Sequence, residues 1–408
     1  MGIALVLGGG APNLTLMAGA VAALDKAGVE FDVVSTAGAG MLIGLLYAAP
    51  KNMTRAQALE NTVNMGVHDK IYDLFPVNYK VFHKPGSMAQ AYTSFWQTAL
   101  PSYQSMWREL WHAFPGARPT DDAQRLFNDW TALMLAAFCP SALGPFSPGL
   151  CQPAPFVGEV VDFPELKKFK GEFYLSAYCI ETRRMEIFPK DEINCEHFQA
   201  ALAFPFIYEP FKLGGKTYLE GAAMDSLNFK GLYEHRKEER GKSEKPSPIE
   251  TIVVCDVLGM ARLIDMPRNL YDAWVKSIIV PLVEIAKDDI KIFREVHKPR
   301  IPEMYHQPEP KLLTIDFEKY MPEEHWPKVL DWSYSNLKTL YDVGYDAGQA
   351  FYAKHAKRLG PRPTGPAAVG PLADTDLALK PAPAGATSLA RPRARAAASR
   401  KRNGLRPS

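Results

Sequence analysis

Two glycine-rich turns and one acidic turn hold the residues whose types and spacing could do chemistry. The first is "LVLGGGAPN", Leu5 to Asn13, where Gly8, Gly9 and Gly10 follow an apolar run from Ile3 to Leu7. Three glycines after a strand let backbone N–H groups converge on an anion at a helix start. Three chemistries use such a turn. Dinucleotide binding asks for G-x-G-x-x-G and an acid at the end of the second strand. Here Asn13 stands at the last glycine, Asp32 lies at the beginning of that strand, and Ser35 ends it. A phosphate-binding P-loop asks for G-K-[ST], which the turn lacks. The third chemistry is an oxyanion hole for acyl transfer. The second turn, Thr36-Ala37-Gly38-Ala39-Gly40, favours it. A nucleophile elbow reads G-x-S-x-G across a sharp strand-to-helix turn. Laid on this turn, the trailing glycine is Gly40, the leading one is replaced by Thr36, and the nucleophile position is Gly38. Ser35 and Thr36 are poor substitutes. Val33 and Val34 would stand two residues before them, and that bulk opposes a tight turn.

These turns need elements to hold them. Residues 3–50 read strand, turn, helix, strand, turn, helix, with the first helix over Leu16–Ala27 and the second from near Gly40 to Ala49, stopped by Pro50. Such a βαβα opening predicts a mainly parallel sheet with helices on both faces. Residues 80–160 are aromatic and proline-broken. Tyr103, Trp107, Trp111 and Phe114 recur at helical spacing, and Trp130 to Phe146 is apolar. That insertion is either core-facing or an apolar cap over a pocket. Further on, Glu172–Phe188 reads as two strands around a turn. His197–Phe211 starts as a short helix ending at Pro205, Thr251–Gly259 is a buried strand, and 325–359 is helix-patterned.

Composition narrows the classes. Hydrophobic residues make up 47% and charged residues 23% of 408, as in ordinary globular chains. The net charge of +2 is unevenly spread. Nine Lys/Arg against two acids over 361–408 give that segment +7, so the remainder carries −5. The Pro/Ala/Arg-rich tail is disordered by composition, and its charge suits anionic lipid or nucleic acid. It could equally serve as a solubilising end. Five cysteines without CxxC spacing argue against a disulfide framework or a zinc site. Nine scattered histidines make no metal motif, so no metal or cofactor is expected. There is no secretory pattern at the start and no apolar run of about 18 residues for a spanning helix. A cytoplasmic protein, with peripheral membrane contact open to it, is expected.

The order of these motifs resembles the patatin-like phospholipase family. That family has a strand, G-G-G-x-[RK]-G, a helix, and a strand of the type "fDvvsGTSaGAlvgal". This chain has "LVLGGGAPNLTLMAGAVAALDKAGVEFDVVSTAGAGMLIGLLYAA" without a gap. The family's later proline-bearing helix and DG[GA] are matched by "ALAFPFIYEPF" and "KTYLEGAAMD". The resemblance spans roughly residues 3–230. It implies an α/β fold of patatin type with a helical insertion, and a pocket for lipid acyl chains. Its domains would be 1–232 with the insertion at 80–160, a completing part at 246–360, and the tail at 361–408.

The departures fall on the chemistry. By the resemblance, the nucleophilic serine maps to Gly38 and the dyad aspartate to Glu220 of Glu220-Gly221-Ala222. The oxyanion hole maps to Gly8, Gly9 and Gly10, with its basic residue at Pro12 and last glycine at Asn13. The Asn and Pro that often follow DGG map to Ser226 and Asn228. Glutamate keeps a carboxylate but moves it by one methylene, when a general base needs hydrogen-bond reach. Pro12 removes one N–H. Gly38 offers no oxygen for an acyl-enzyme. The resemblance therefore implies a phospholipase A-type lipid acyl-ester hydrolase fold of weak or absent activity. A non-catalytic lipid- or acyl-binding protein and a membrane-associated adaptor stand as alternatives. In each, a lipid or acyl-chain ligand is the expected partner.

Overall fold

The computed structural model describes residues 2–11, 13–96, 99, 121–153, 156–233 and 248–360. Pro12, the aromatic stripe at 103–114, the charge run at 234–245 and the basic tail lie outside the described residues.

The first apolar run forms strand β1 (Gly2–Leu7), buried at all six positions. Burial on both faces is what a central parallel strand requires. Its neighbours are β2 (Val33–Thr36) on one side and β9 (Ile249–Cys255) on the other, both parallel to it. The sheet also takes in β4 (Glu172–Cys179), β5 (Arg184–Pro189), β7 (Phe211–Leu213), β8 (Lys216–Glu220) and β10 (Lys311–Thr314). Its order is β10-β9-β1-β2-β4-β8-β7, with β5 also paired to β4. From β10 to β4 every pairing is parallel, whereas β5, β7 and β8 pair antiparallel. A two-stranded sheet pairs β3 (Gly149–Cys151) with β6 (Phe206–Tyr208).

Register gathers the chemistry at one sheet edge. Leu7 is level with Thr36 and with Cys255, and Thr36 is level with Leu175. The strands β1, β2 and β9 therefore end together, and their turns meet outside their carboxyl ends. Ligands of open α/β sheets bind at that place. Strand β8 runs the other way and brings Glu220 opposite Ala177, two residues beyond Leu175.

Helix α1 (Leu14–Ala27) starts two residues before the sequence predicts, and α2 (Gly40–Ala48) follows the elbow. The long closing helix α6 (Tyr334–Leu359) packs on α1 through small residues. A Cβ at Gly19 would run into Tyr341 O, and one at Gly344 into Leu16 O. Only glycine at these positions lets the two backbones come so close. The helix-patterned stretch from 325 is not one helix. Residues Glu323–Lys328 form a 3-10 segment containing Pro327, and α6 begins only after the extended Ser333. Likewise α4 (Cys195–Ala201), capped by the Asn194 side chain, stops before Pro205, since the residue preceding a proline disfavours helix.

In the insertion, residues 87–96 and α3 (Asp121–Phe138) are helical. Of α3 only Asp129 is fully buried, while Trp130, Phe138 and, beyond it, Phe146 are exposed. The segment divides between the two readings: Leu126 and Leu133 pack against the core, while Trp130, Phe138 and Phe146 do not. Beside that packing the helix is tied down by a buried polar contact: Asp129 pairs with Lys80 at 2.6 Å and accepts from His68 N at 2.7 Å.

Candidate functional site

At the elbow, β2 ends at Thr36 and Gly38 turns the chain with φ of +50°. That left-handed conformation favours glycine. The turn sits directly on the glycine loop: Ala37 N donates to Leu7 O at 3.0 Å, and a Cβ at Gly40 would collide with Gly8 O.

The two neighbouring hydroxyls are buried and engaged. Ser35 Oγ donates to Asn228 O at 2.7 Å, and Thr36 Oγ1 donates to Tyr174 O at 3.0 Å. Both point into the sheet's packing and hold backbone, so neither substitutes for a side chain at position 38. Asn228 closes the clamp. Its Nδ2 donates to Thr36 O at 3.2 Å, and its Oδ1 accepts from Gly231 N at 3.3 Å. Asn228 is in the left-handed region, φ +21°, which asparagine tolerates better than most residues.

Glu220 ends β8 with its N–H donated to Ala203 O at 2.9 Å and its side chain buried. It meets the elbow. A Cβ at Gly38 would run into Glu220 Oε1, lie 2.7 Å from Ala222 Cβ and 3.2 Å from Gly9 Cα. The space a side chain at position 38 would need is thus filled by the carboxyl of residue 220. The missing side chain and the added methylene, two separate departures in sequence, are complementary in space. Among the described residues the Glu220 carboxyl makes no hydrogen bond, and burial pushes it up to about 8. Burial acts this way because it disfavours the charged form.

The glycine loop narrows the expected oxyanion hole. Gly8 N donates to Cys255 O and Gly9 N to Ser226 O, both at 3.2 Å. Those two N–H groups are therefore occupied by backbone carbonyls. Of the three glycines, only Gly10, at φ +122°, keeps its N–H unpaired among the described residues.

Sequence reasoning missed the support beneath this loop. Asp289, on α5 (Leu270–Ile292), accepts from Ser226 N at 2.6 Å. Ser226 O in turn receives Gly9 N. Burial, followed by the charge of Asp225, pushes Asp289 up to about 7. Nothing in the local pattern marks Asp289, because its role depends on a contact 63 residues away. Asp256 is structural: it accepts from Leu258 N at 3.0 Å and Gly259 N at 2.9 Å, closing the turn after β9.

Glu220 also lines a cavity of about 350 Å³. Its walls come from α1, α2, α4, α5 and the segment around Phe82, through Leu14, Leu42, Phe82, Phe198, Ile279 and Trp332. No lysine, arginine or histidine is among the described residues that line it, and Glu220 is its one carboxyl. A site of this kind can hold an extended apolar group with one polar end near the elbow. Among the described residues no group of three or more His, Cys, Asp and Glu is placed to hold a metal, and no helix is long and apolar enough to cross a membrane.

A family model described as Patatin-like phospholipase matches residues 5–233. The crystal structure of VipD from Legionella pneumophila is similar over 87% of this chain and 67% of that one, at 12% identity and a TM-score of 0.35. No curated protein matches the chain.

Proposed function

The chain belongs to the patatin-like phospholipase family, and on that premise we propose that it binds the acyl part of a lipid without forming an acyl-enzyme. One observation carries this reading: the space for a side chain at position 38 is filled by the Glu220 carboxyl. Covalent acyl transfer needs an oxygen or sulfur nucleophile aimed at the carbonyl carbon. Position 38 has none, and Ser35 and Thr36 are turned into backbone hydrogen bonds.

Direct attack by water is also poorly served. A carboxyl pushed up to about 8 is ionised in roughly one molecule in ten at neutral pH, so Glu220 is mainly an acid there. Gly8 and Gly9 have given their N–H groups to carbonyls. Losing oxyanion donors costs roughly 10²–10³ in rate for each. What remains is a shaped apolar cavity with one polar end, which is sufficient for binding.

The exposed Trp130, Phe138 and Phe146 support a further element of the same reading, contact with a lipid surface through the insertion. Exposed apolar patches mark interaction sites.

The test uses the purified full chain with a fluorogenic medium-chain ester and with phospholipid vesicles, alongside Glu220→Ala. The expected result is no turnover above background, with lipid extractable from the protein. Turnover that Glu220→Ala abolishes would overturn the reading.

A further inference from the structure

We propose that Glu220 selects uncharged acyl esters over free fatty acids, by donating its carboxyl proton to the ligand's carbonyl oxygen. The inference rests on the acyl-binding reading above and adds the chemistry of the ligand's polar end.

Three observations converge on it. The Glu220 carboxyl stands at the elbow, against the position from which a nucleophile would meet a carbonyl carbon. It makes no hydrogen bond among the described residues, so its donor is not committed to the protein. The cavity it lines holds no cationic side chain among the described residues.

Each fact bears on a different ligand. A fatty acid would bring a carboxylate into an apolar cavity with no cation to meet it. Burying an unpaired charge is strongly unfavourable, so the acid would have to take up a proton or share one with Glu220. An ester brings only a carbonyl acceptor, which suits a neutral carboxyl donor. The remaining titratable groups on the cavity wall are Tyr208, from β6, and Cys151, from β3. Burial pushes both up, Cys151 to about 11, so both are neutral where Glu220 titrates. Helices α1, α2, α4 and α5 face the cavity with apolar side chains. The pH response of binding therefore belongs to Glu220. Its rise to about 8 keeps the donor in place at neutral pH. Raising the pH removes the proton and sets a negative charge against the carbonyl oxygen.

A long-chain amine is the opposing case. It would pair with an ionised Glu220 and bind as a cation.

The experiment measures binding of monodecanoylglycerol, decanoate and decylamine to the full-length protein by displacement of an environment-sensitive fluorescent probe, at about pH 7 and about pH 9.5. The ester is expected to bind at least about tenfold more tightly than decanoate at the lower pH, and to weaken by about tenfold at the higher. In Glu220→Gln, whose amide does not titrate, the ratio of ester affinities at the two pH values is expected to fall to about one. Circular dichroism checks that the variant is folded. Decanoate binding as tightly as the ester would overturn the inference, as would an ester affinity unmoved by pH or decylamine binding tightest; in those cases the acyl-binding reading survives. If the probe enters the protein but none of the three ligands displaces it, that reading falls too, and the inference with it.

Discussion

The elbow and the insertion helix α3 are both rich in small or apolar residues, yet they are held in opposite ways. At the elbow, backbone meets backbone. Gly40 lies against Gly8, Gly38 against the Glu220 carboxyl, and the hydroxyls of Ser35 and Thr36 are taken up by the carbonyls of Asn228, in a turn, and of Tyr174, on the neighbouring β4. Nothing there can change size alone. On α3 the apolar side chains Trp130 and Phe138 face outward, and Leu126 and Leu133 pack on the core beside a buried ion pair, Asp129 with Lys80. In the first region shape complementarity sets what a substitution costs. In the second a buried charge pair weighs most beside a half-buried apolar face.

That contrast can be broken most directly at Asp129. Its side chain is 4% exposed and that of Lys80 22%. Asp129→Ala takes the carboxylate from the Lys80 ammonium, which keeps only the carbonyls of Gly66 and Asn64, and leaves the His68 N–H without its acceptor. Removing one member of a buried pair costs about 3–5 kcal/mol. The loss is expected to be local, read as faster hydrogen exchange across 121–138 and around 68–80. Replacing both partners by apolar residues, Lys80→Met with Asp129→Leu, is expected to recover the share due to the unpaired charge and not that of the His68 N–H. Uniform destabilisation of the sheet instead would erase the distinction between the two regions.

The elbow gives the next largest effect. Gly38→Ser puts a Cβ against Glu220 Oε1 and 2.7 Å from Ala222 Cβ, in a left-handed conformation. Overpacking costs about 1–3 kcal/mol and the left-handed residue about 1–2 more. Glu220→Asp in the same chain withdraws the carboxyl by one methylene. The double variant is expected to be more stable than the sum of the single changes by about 1–2 kcal/mol, measured by urea denaturation. Strict additivity would mean that the two positions do not compensate one another. Any ester hydrolysis is expected in the double variant rather than in Gly38→Ser.

The effect that sharpens the elbow's electrostatics, spread over several pH units, is its pH dependence. Glu220 is raised from 4.5 to about 8 by burial. Between those values the folded protein holds a proton that the unfolded chain releases, so stability falls as pH rises through this window. The contribution is fully present below about 4.5 and gone above about 8. The slope is roughly 1.4 kcal/mol per pH unit. The difference in stability between Glu220→Gln and the parent chain is therefore expected to grow with pH across that window and then level off. A constant difference would mean that the carboxyl is not perturbed.

Much of this was legible in the chain. The strand–turn–helix order, the lack of a side chain at Gly38, the poor fit of Ser35 and Thr36 to a nucleophile position, and the carboxyl at Glu220 all follow from short-range pattern, because turns and strands are specified by neighbouring residues. The ends of helices were less legible. The start of α6 at Tyr334 rather than near 325 depends on Pro327 and on the extended Ser333, where a local break outweighs periodicity. The outward-facing apolar side chains of α3 could not be read from their spacing, since an apolar stripe does not say what it faces.

By itself, then, the sequence determined the family's order of elements and set Gly38 and Glu220 where the resemblance implies its chemical positions. Only the tertiary structure decided what those changes mean together. Parallel pairing of β1 with β2 and β9, and the antiparallel return of β8, bring Gly38 and Glu220 into contact across 182 residues of chain. The same packing turns the N–H groups of Gly8 and Gly9 toward Cys255 O and Ser226 O. Backbone hydrogen bonds and side-chain contacts between distant segments depend on strand register and packing. Those are properties of the assembled sheet, which no stretch of sequence carries alone.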